Sequence, residues 1–469
     1  MKPITVKEII EATNGELLSG NPLDSITGVQ IDSRKVCSGD LFVPIKGEFY
    51  DGHSFIGDAI NAGCKGILIS DLSFYENNKH MNFEIVYILI PEPVKAIQSL
   101  SAYYINLFTL KKIAVTGSTG KTTTKDMLYS ILSEEFKTVK NYGNFNNEIG
   151  LPLSIFNVES NHQIGIFEMG MSSLGEIDLM SEILRPDIGI ITNVGLSHIE
   201  HLGSKSNILN AKMEIANYFD HSSVLIINGD DELLRGIARE ENENIFKTIT
   251  VGLTSGCDVK ISDVDSSKED KFGFNLTINN SKKYFEVASP GAHNAYNCGL
   301  ALTCAATLGM DINKAESALL NFSSADKRLK IIHGQGIKII DDTYNASPDS
   351  MMAAIDVLAG FKNNNKVAVL GDMLELGEQA IDFHKDIIIY AIKAGIDSVI
   401  IVGENFKNAC EDLAKKTIHG KVIHLDSNLE VEEYLKSNIN NDDVVLVKGS
   451  RGMKMESIVN YLNKINWIG

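Results

Sequence analysis

Hydrophobic residues recur along this chain as short β-branched runs separated by stretches with helical spacing. A short apolar run bounded by polar residues indicates a buried strand, and apolar positions three and four apart indicate a helix. Repeated alternation of the two favours βαβ units around largely parallel sheets. The predicted strands contain the runs Ile113-Ala-Val, Ile164-Gly-Ile-Phe, Ile188-Gly-Ile-Ile, Val224-Leu-Ile-Ile, Ile337-Lys-Ile-Ile, Val367-Ala-Val-Leu, Val399-Ile-Ile-Val and Val444-Val-Leu-Val.

One region, residues 258–288, lacks that alternation. It has instead two strand-like segments, Phe272-Gly-Phe-Asn-Leu-Thr-Ile278 and Tyr284-Phe-Glu-Val287, on either side of Asn279-Asn-Ser281. Asparagine tolerates the left-handed conformation that tight hairpin turns require. The pattern therefore predicts an antiparallel hairpin inside the middle region.

Two interruptions divide the chain. Pro91-Glu-Pro93 is an extended segment ahead of a new helical pattern, and Ser323-Ser-Ala-Asp-Lys-Arg328 is a polar segment ahead of a new strand. At roughly 150 residues per domain, 469 residues suggest three domains. We predict an α/β protein with a small N-terminal α/β domain (1–90), a central domain with a P-loop-type, mostly parallel sheet and helices (91–323), and a C-terminal Rossmann-like α/β domain (324–469).

Charge and hydropathy narrow the class of function. The chain has 61 acidic and 43 basic residues, a formal net charge of -18, and no run rich in lysine and arginine. Nucleic-acid binding rests on clustered positive charge, so no nucleic-acid partner is expected. No apolar run approaches the roughly 18 residues of a spanning helix, and the first residues lack an apolar leader. The expected protein is cytoplasmic, without integral membrane association.

The cysteines are scattered and form no Cys-x-x-Cys pair. Disulfide scaffolds and zinc sites need cysteines at close, regular spacing, which this chain lacks. We expect reduced thiols in the core, and we expect the single tryptophan, Trp467, to have a packing role. The cysteines are Cys37, Cys64, Cys257, Cys298, Cys304 and Cys410.

A glycine-rich loop follows the first strand of the middle region. The sequence after Ile113-Ala-Val-Thr is Gly117-Ser118-Thr119-Gly120-Lys121-Thr122-Thr123, and a helical stretch follows. A glycine turn that opens a helix presents backbone N–H groups and the positive helix end to phosphate, while Lys121 adds charge and Thr122 adds an oxygen for Mg²⁺. The usual pattern has a glycine where Val115 stands, so this is a shortened variant. These seven residues are predicted to bind a nucleoside triphosphate.

A carboxylate, an imidazole and a lysine follow the next strands. Glu168 ends one strand and His198 follows the next, so both lie near the phosphates if their strands flank the loop strand. Carboxylate and imidazole both bind divalent ions. Lys212 comes fourteen residues later in a helical pattern. Taken alone, Glu168 fits a solvated rim residue equally well, and a helical lysine is usually a solvated one.

These residues together resemble a known family. Thr116–Thr123, Glu168-Met-Gly170, His198 and Ala211-Lys-Met-Glu214 are similar to the central domain of the Mur ligases, ATP-dependent amide-forming enzymes of peptidoglycan precursor synthesis. The resemblance extends over essentially the whole chain. Three further stretches resemble the branch that joins D-alanyl-D-alanine to UDP-N-acetylmuramoyl-tripeptide: Asn141–Pro152, Ile340–Ala354 and Leu446–Glu456.

The resemblance implies a phosphate and metal site in the central domain. Lys121 and the loop amides would hold ATP, and Thr122 and Glu168 would bind one Mg²⁺. Lys212 would react with CO₂ to form a carbamate, which with His198 would bind a second Mg²⁺. A shielded lysine is more readily neutral, as this reaction requires.

The resemblance also assigns the substrate contacts. Adenine would lie against Asn294 and Asn297, although Asn294 is also consistent with a helix cap. From the last domain, Arg328 would reach the transferring phosphate and Asp342 would contact ATP; Lys327 stands where the family commonly has glycine. The stretch Asn345–Met351 and Ser450-Arg451 would line the dipeptide pocket, although a helix that begins at Pro348 explains part of this pattern without any ligand. The uridine-nucleotide residues would be Ser33, Arg34, Asp51 and His53, for which a surface turn is the alternative, and the other substrate residues Asn144, Asn146, Asn147, Asn345, Ser347 and Ser450.

The implied reaction is amide formation through an acyl phosphate, with Lys121, Lys212, His198 and Arg328 as the catalytic set. Domain closure would precede chemistry and exclude water. The expected state is a monomer. Three alternatives remain: the preceding ligase, which adds lysine or diaminopimelate and whose Asp-Asn-Pro-Arg motif is absent here; a folylpolyglutamate-synthetase-like ligase; and a nucleotide-binding module without catalysis.

Overall fold

The computed structural model describes residues 1–47, 50–78, 84–239, 245–334, 336–362, 364–414 and 422–464. Within these residues the strands form three large sheets, of five, nine and six strands, and a two-stranded pair. They are called here the N-terminal, central and C-terminal sheets. Trp467 lies outside the described residues.

The N-terminal sheet has the order β2-β7-β6-β5-β4, with β2 antiparallel and the other neighbours parallel, and β1 pairs with β3 beside it. Thr5 caps α1 with a reciprocal side-chain capping box with Glu8. The elements are β1 (Ile4–Thr5), α1 (Val6–Thr13), β2 (Glu16–Ser19), β3 (Ser25–Ile26), β4 (Gly28–Gln30), β5 (Asp40–Phe42), α2 (Ile56–Asn61), β6 (Gly66–Ile69), α3 (Leu72–Asn78) and β7 (Val86–Leu89).

The central region begins with a helix that has proline in its first turn, as suits a proline without a free N–H. Its first half contains α4 (Pro93–Ile105), β8 (Lys111–Thr116), α5 (Lys121–Leu132), β9 (Thr138–Lys140), α6 (Gly150–Ile155), β10 (Ile164–Glu168), α7 (Glu176–Leu184), β11 (Ile188–Ile191), α8 (Ile199–Leu202) and α9 (Lys205–Met213). Its second half contains β12 (Val224–Asn228), α10 (Glu232–Arg239), β13 (Lys247–Gly252), β14 (Val259–Asp265), β15 (Phe272–Ile278), β16 (Ser281–Val287), α11 (Asn294–Thr307) and α12 (Ala315–Leu320).

The order of the central sheet, β16-β15-β14-β13-β12-β11-β8-β10-β9, decides where the site lies. Strand β8, which leads into the glycine-rich loop, pairs in parallel with β10 on one side and β11 on the other. Parallel strands end at the same sheet edge, where α/β proteins bind ligands. Both strands predicted to flank the loop strand therefore do so, and their carboxyl ends meet at the loop.

The predicted hairpin is present at the other end of this sheet. Strands β15 and β16 pair antiparallel from Phe272 opposite Val287 to Ile278 opposite Ser281. The two turn residues, Asn279 and Asn280, have φ of 50° and 64°. Positive φ at both central residues is the backbone of a hairpin turn that matches strand twist, which explains the asparagine pair.

The C-terminal sheet has the order β17-β18-β22-β19-β20-β21, with β17 antiparallel at the edge and the other neighbours parallel. Apolar clusters fill both faces, as expected for a sheet covered by helices. The elements are β17 (Lys330–His333), β18 (Lys338–Asp342), α13 (Pro348–Ala359), β19 (Lys366–Gly371), α14 (Ala380–Lys393), β20 (Ser398–Val402), α15 (Glu404–Ala414), β21 (Val422–Leu425), α16 (Asn428–Asn438), β22 (Val444–Lys448) and α17 (Glu456–Leu462).

The burial of the cysteines and the length of the helices bear on two predictions made from the sequence. All six cysteines are free, and Cys64, Cys298 and Cys304 are buried. Cys37 is exposed, so the expectation of core thiols is wrong for that residue, which lies in a surface turn after a short 3-10 helix. In the part of the chain that is described, no helix has the length and apolar character needed to cross a membrane.

Candidate active site

The glycine-rich loop has a backbone that only glycine adopts without strain at two positions. Gly117 has φ 148° and Gly120, which precedes the first residue of α5, has φ 80°. A Cβ at Gly117 would collide with Thr192, and a Cβ at Gly120 would collide with Asn297. Both glycines therefore provide positive φ and close approach of neighbouring segments.

Asn193, which sequence analysis did not select, holds this loop in shape. Its Oδ1 accepts hydrogen bonds from the backbone N–H of Ser118 (3.1 Å) and of Thr119 (2.9 Å). Lys121 folds back, and its Nζ donates to the carbonyl of Gly117 at 2.8 Å. The signal available in the sequence was position: Asn193 stands two residues after β11, at the sheet edge where ligand residues collect.

Glu168 is buried at the end of β10, with only 1% of its surface exposed. Its Oε2 accepts from Thr122 Oγ1 at 2.8 Å and lies 3.6 Å from Nζ of the buried Lys125, while Oε1 accepts from Asn146 Nδ2 at 2.7 Å. Burial alone would raise the pKa of this carboxyl. The positive charges of Lys125, Lys121 and Arg328, with the Thr122 hydrogen bond, outweigh burial and lower the pKa.

The Thr122–Glu168 pair has the chemistry of a magnesium site. Among the described residues, no group of three or more His, Cys, Asp or Glu side chains is arranged to hold a metal ion. Magnesium beside a phosphate loop needs fewer protein ligands, because phosphate and water oxygens complete its shell. A hydroxyl and an ionised carboxylate 2.8 Å apart are hard oxygen donors of that kind.

His198 directly precedes α8 in the chain, and Lys212 lies in the next helix, α9. His198 is half-buried in a left-handed conformation (φ 63°), and its Nδ1 lies 2.6 Å from Oε2 of Glu375 in the C-terminal region. Desolvation lowers the pKa of His198, with Glu375 opposing it. Lys212, in α9, is 1% exposed. Burial, followed by repulsion from Lys121, holds the pKa of Lys212 well below its ordinary value.

The C-terminal sheet supplies the opposite wall. Arg328 places its guanidinium 4.1 Å from the ring centroid of Tyr344, a cation–π contact. Asp342, at the end of β18, accepts from the N–H of Leu329 at 3.2 Å and pairs with Nζ of Lys448 at 2.6 Å. Lys448 is 2% exposed and was not selected from the sequence, although it ends a strand of this sheet.

Lys327 has φ 63°. That conformation is natural for glycine and explains why glycine would be favoured before the arginine. In this chain the lysine side chain is held by Glu456, with Nζ 3.0 Å from Oε1.

The stretch expected to bind adenine is buried at the start of α11. Asn294 Nδ2 donates to the carbonyl of Pro290 at 2.8 Å, and Asn297 Nδ2 donates to Asn294 Oδ1 at 2.8 Å. The N-cap is His293, whose side chain makes no capping bond, so the alternative of a cap by Asn294 is wrong. A helix does begin at Pro348, which is the first residue of α13. Ser347 and Ser350 form a capping box at its start.

A cleft of about 500 Å³ joins these walls. It brings together sixteen of the predicted residues: Ser118, Thr119, Gly120, Lys121, Thr122, Thr123, Asn146, Asn147, Glu168, His198, Asn294, Asn297, Arg328, Asp342, Asn345 and Ser347. It is also lined by residues that sequence analysis missed: Asn193, His293, Tyr296, Tyr344, Asp349 and Lys448. Tyr344, Asp349 and Lys448 lie in the stretches 340–354 and 446–456 that carry the family resemblance, and this was the available signal for them.

The remaining predicted residues lie outside the lining of this cleft. Lys212 is buried, and Gly117 lies against Thr192. Asn144 is exposed. Ser450 is buried, and its Oγ accepts from the N–H of Leu374 at 2.9 Å, so it supports a neighbouring loop.

The residues expected to bind uridine lie in short 3-10 turns of the N-terminal region. Arg34 forms a two-point contact with Asp32, with Nε–Oδ1 and Nη2–Oδ2 both 2.8 Å, and Ser33 opens the same turn. His53 Nδ1 lies 2.8 Å from Asp51 Oδ1. This geometry matches the alternative of an ordinary surface turn, and nucleotide binding there stays a prediction.

Three family models match successive parts of the chain. The model "Mur ligase family, catalytic domain" matches residues 25–104, "Mur ligase middle domain" matches 115–305, and "Mur ligase, glutamate ligase domain" matches 327–451. Together they include the residues that line the cleft except Ser324, which lies between the second and third models.

Individual proteins match along nearly the whole length. UDP-N-acetylmuramoyl-tripeptide--D-alanyl-D-alanine ligase of Bacillus subtilis is 37% identical, with 97% of each chain covered. A crystal structure of MurF from Acinetobacter baumannii has a TM-score of 0.88 at 29% identity and covers 99% of this chain and 100% of that chain. MurF of Thermotoga maritima in complex with ADP has a TM-score of 0.81 at 28% identity and covers 93% and 97%.

Proposed function

This chain belongs to the Mur ligase family, and we propose that it joins D-alanyl-D-alanine to UDP-N-acetylmuramoyl-tripeptide while ATP is converted to ADP and phosphate. The product is UDP-N-acetylmuramoyl-pentapeptide, a peptidoglycan precursor. One observation carries the proposal: a single cleft is lined by the phosphate loop, by Glu168, and by Arg328 and Asp342 from a different sheet. Such a cleft suits an enzyme that holds ATP between two walls.

The reaction has two steps. The terminal carboxylate oxygen of the tripeptide attacks the γ-phosphorus of ATP, which forms an acyl phosphate and releases ADP. The amine nitrogen of D-alanyl-D-alanine then attacks the acyl carbon, and phosphate leaves as the amide forms. No protein nucleophile is required, so catalysis rests on positioning and on stabilisation of negative charge.

Lys121 and Arg328 are the cations placed to stabilise that charge. Desolvation lowers the pKa of Lys121, Glu168 opposes that effect, and Arg328 adds to it, so the two cations affect each other across the cleft. A cation in a desolvated site interacts more strongly with phosphate than the same cation in water. The loop amides of Ser118 and Thr119 would turn from Asn193 toward phosphate oxygens.

Thr122 and Glu168 would hold one Mg²⁺, and His198 with a carbamate on Lys212 would hold a second. Bound Mg²⁺ neutralises phosphate charge during transfer. Two features of Lys212 favour carbamate formation: it is buried, and among the described residues none forms an ion pair with its ammonium. An amine whose pKa is lowered is more often neutral and able to react with CO₂.

The substrates would extend from the cleft in three directions. Adenine would lie against the α11 residues Asn294 and Asn297, and the dipeptide against Asn345 and Ser347, with Ser450 behind them. The uridine end would reach the N-terminal sheet. Residues proposed for the UDP-linked substrate are Ser33, Arg34, Asp51, His53, Asn144, Asn146 and Asn147.

We assign the binding of these substrates to three domains, 1–90, 91–323 and 324–469. The first would bind the uridine nucleotide, the second ATP, and the third the incoming dipeptide. A cytoplasmic monomer is the form in which we expect this enzyme to act. Its acidic surface gives no support for a nucleic-acid partner.

The test is phosphate release by the purified protein with Mg-ATP. UDP-N-acetylmuramoyl-tripeptide, in lysine and diaminopimelate forms, is supplied with and without D-alanyl-D-alanine. Release that requires both substrates is expected, and the faster form identifies the stem peptide. Release with a single amino acid and the dipeptide nucleotide would favour the preceding ligase, and release with a folate substrate would favour a folylpolyglutamate-type enzyme. No release with any pair would favour a module without catalysis.

A further inference from the structure

We propose that Glu375 is a positioning residue for His198, which it holds with the proton on Nδ1 so that Nε2 is the free ring nitrogen at the phosphate site. This inference rests on the proposed function for its consequence in catalysis. The geometry on which it stands is independent of that function. Glu375 belongs to the loop after β19 of the C-terminal sheet, whereas His198 follows β11 of the central sheet.

The contact itself requires a proton. Nδ1 of His198 and Oε2 of Glu375 are 2.6 Å apart, and both atoms carry lone pairs. Two acceptors at this distance repel unless a proton lies between them. Nδ1 is buried and forms no well-aligned hydrogen bond with any described residue, so the carboxylate of Glu375 stands at ion-pair distance from a ring nitrogen that is otherwise without a partner. A neutral imidazole has one proton, so a proton at Nδ1 leaves Nε2 as the acceptor.

The backbone on both sides is shaped for this contact. His198 and Glu375 both have φ 63°, a left-handed conformation that non-glycine residues seldom adopt. Such conformations persist where the surrounding structure imposes them, and they collect at functional sites. A backbone hydrogen bond from the N–H of Glu200 to the carbonyl of Glu375 (3.3 Å) joins the same two segments.

The loop that carries Glu375 is fixed to its own sheet. The N–H of Met373 donates to Nε2 of the buried His384 at 2.9 Å, and the N–H of Leu374 donates to Ser450 Oγ at 2.9 Å. Two consecutive residues before Glu375 are therefore anchored, and Leu376 after it is buried. The carboxylate is thus presented by the C-terminal sheet, and His198 is oriented when the two sheets meet at this point.

A carboxylate that hydrogen-bonds a metal-binding histidine commonly orients the ring and changes its basicity without touching the metal. Removal of such a carboxylate costs about 10- to 100-fold in metal affinity or activity. Here the carboxylate and the histidine come from two sheets, so assembly of the site and approach of the sheets are coupled. This explains why a half-exposed glutamate, 47% exposed at its side chain, lies against a predicted ligand.

The test reads the tautomer of His198 directly. Protein labelled with ¹⁵N only at histidine is measured at about pH 8, above the ordinary imidazole pKa, with His198→Asn to assign the signal. We expect the Nδ1–H form in the unaltered protein and the Nε2–H form in Glu375→Ala. The matched control is Glu378→Ala, which removes the same charge three residues away from an exposed side chain, and it should keep the Nδ1–H form.

Turnover gives the second measurement. In Glu375→Ala, kcat should fall about 10- to 100-fold with KM for the UDP-linked substrate little changed, because the substrate contacts remain. An unchanged tautomer in Glu375→Ala, or the same change in Glu378→Ala, would overturn the proposal. If the tautomer responds as expected but no substrate pair releases phosphate from the unaltered protein, the proposed function fails and the positioning role stands.

Discussion

The two walls of the cleft differ in how their polar side chains are hydrogen-bonded and paired. On the central wall the groups bind one another: Lys121 donates to the Gly117 carbonyl, and Thr122 donates to Glu168. On the C-terminal wall, Arg328 rests on the ring of Tyr344 and, among the described residues, forms no ion pair. The central wall is satisfied by itself, whereas the C-terminal wall has, beside the paired Asp342 and Lys448, one cation, Arg328, that forms no ion pair with a described residue.

This difference indicates how each wall responds to ligand. Phosphate at the central wall must replace hydrogen bonds that already exist, so the net gain is a difference between two sets of bonds. Phosphate at Arg328 meets a charge without replacing an ion pair. Because Arg328 directly precedes β17 of the C-terminal sheet, its contribution should depend on how closely the two sheets approach. The variants below challenge this comparison, beginning with the largest expected effect.

Loss of the central cation should have the largest effect. We expect Lys121→Ala to lower turnover by at least about 10³-fold, at the upper end of what one preorganised electrostatic group provides. Thermal unfolding should be nearly unchanged, because within the described residues the Lys121 ammonium donates hydrogen bonds only to its own loop. Lys260→Ala, which removes an exposed lysine from the same sheet, is the control for charge. Turnover within tenfold of the unaltered enzyme would mean that the central wall does not bind the transferring phosphate.

Lys212 tests whether the buried amine acts through a carbamate. Lys212→Ala should lower turnover about 100-fold or more, and a small carboxylic acid should restore part of it by filling the carbamate's place. Phosphate release with increasing acid concentration is the measurement, and Lys121→Ala with the same acid is the control that should show no recovery. Full activity of Lys212→Ala in plain buffer would sink the carbamate hypothesis.

The buried ion pair of the C-terminal wall should control stability. Asp342→Asn leaves Lys448, 2% exposed, without its partner at 2.6 Å, and should lower the free energy of unfolding by about 3–5 kcal/mol. Lys448→Met added to Asp342→Asn should recover part of that loss. Denaturant unfolding measures both. Asp263→Asn, in an exposed pair with Lys282, should change little; an equal loss there would show that burial is not the cause.

Acidification should act with opposite sign on one buried carboxyl of each sheet, Glu168 at the end of β10 and Asp341 in β18. The pKa of Glu168 is lowered, so its contribution is present above the ordinary value of 4.5 and is lost as pH falls through that value toward the native pKa. Burial raises the pKa of Asp341, so that carboxyl favours the folded state at low pH and opposes it as pH rises. Between about pH 6 and 3, Glu168→Gln should flatten the decline of melting temperature. Asp341→Asn should stabilise mainly near neutrality; identical pH profiles for both variants would contradict the comparison.

Much of the architecture followed from local pattern. The run Ile113-Ala-Val lies in β8, the asparagine pair at 279–280 forms the hairpin turn, and Pro348 begins α13. Each feature depends on neighbours in sequence: apolar runs make buried strands, positive φ suits asparagine, and proline suits the first turn of a helix. The glycine-rich loop belongs to the same class, since its glycines and lysine are consecutive.

Residues that act through distant partners were harder to find. Lys448 resembles any lysine at the end of a strand until β18 brings Asp342 beside it, 106 positions away. Glu375 gives no local signal, because its meaning comes from His198 on another sheet. Asn146 was selected as a substrate residue, and the structure places its amide on Glu168.

Residue order and short-range periodicity are enough to predict the elements, the phosphate loop and the family. Which charges are paired follows only from the folded arrangement. Strand order placed Glu168 and His198 on either side of the loop strand. Neighbouring positive charges then lower the pKa of Glu168 against the effect of burial, whereas desolvation lowers the pKa of His198. The physical reason is that electrostatic energy depends on distance and desolvation, and neither quantity exists until the chain has folded.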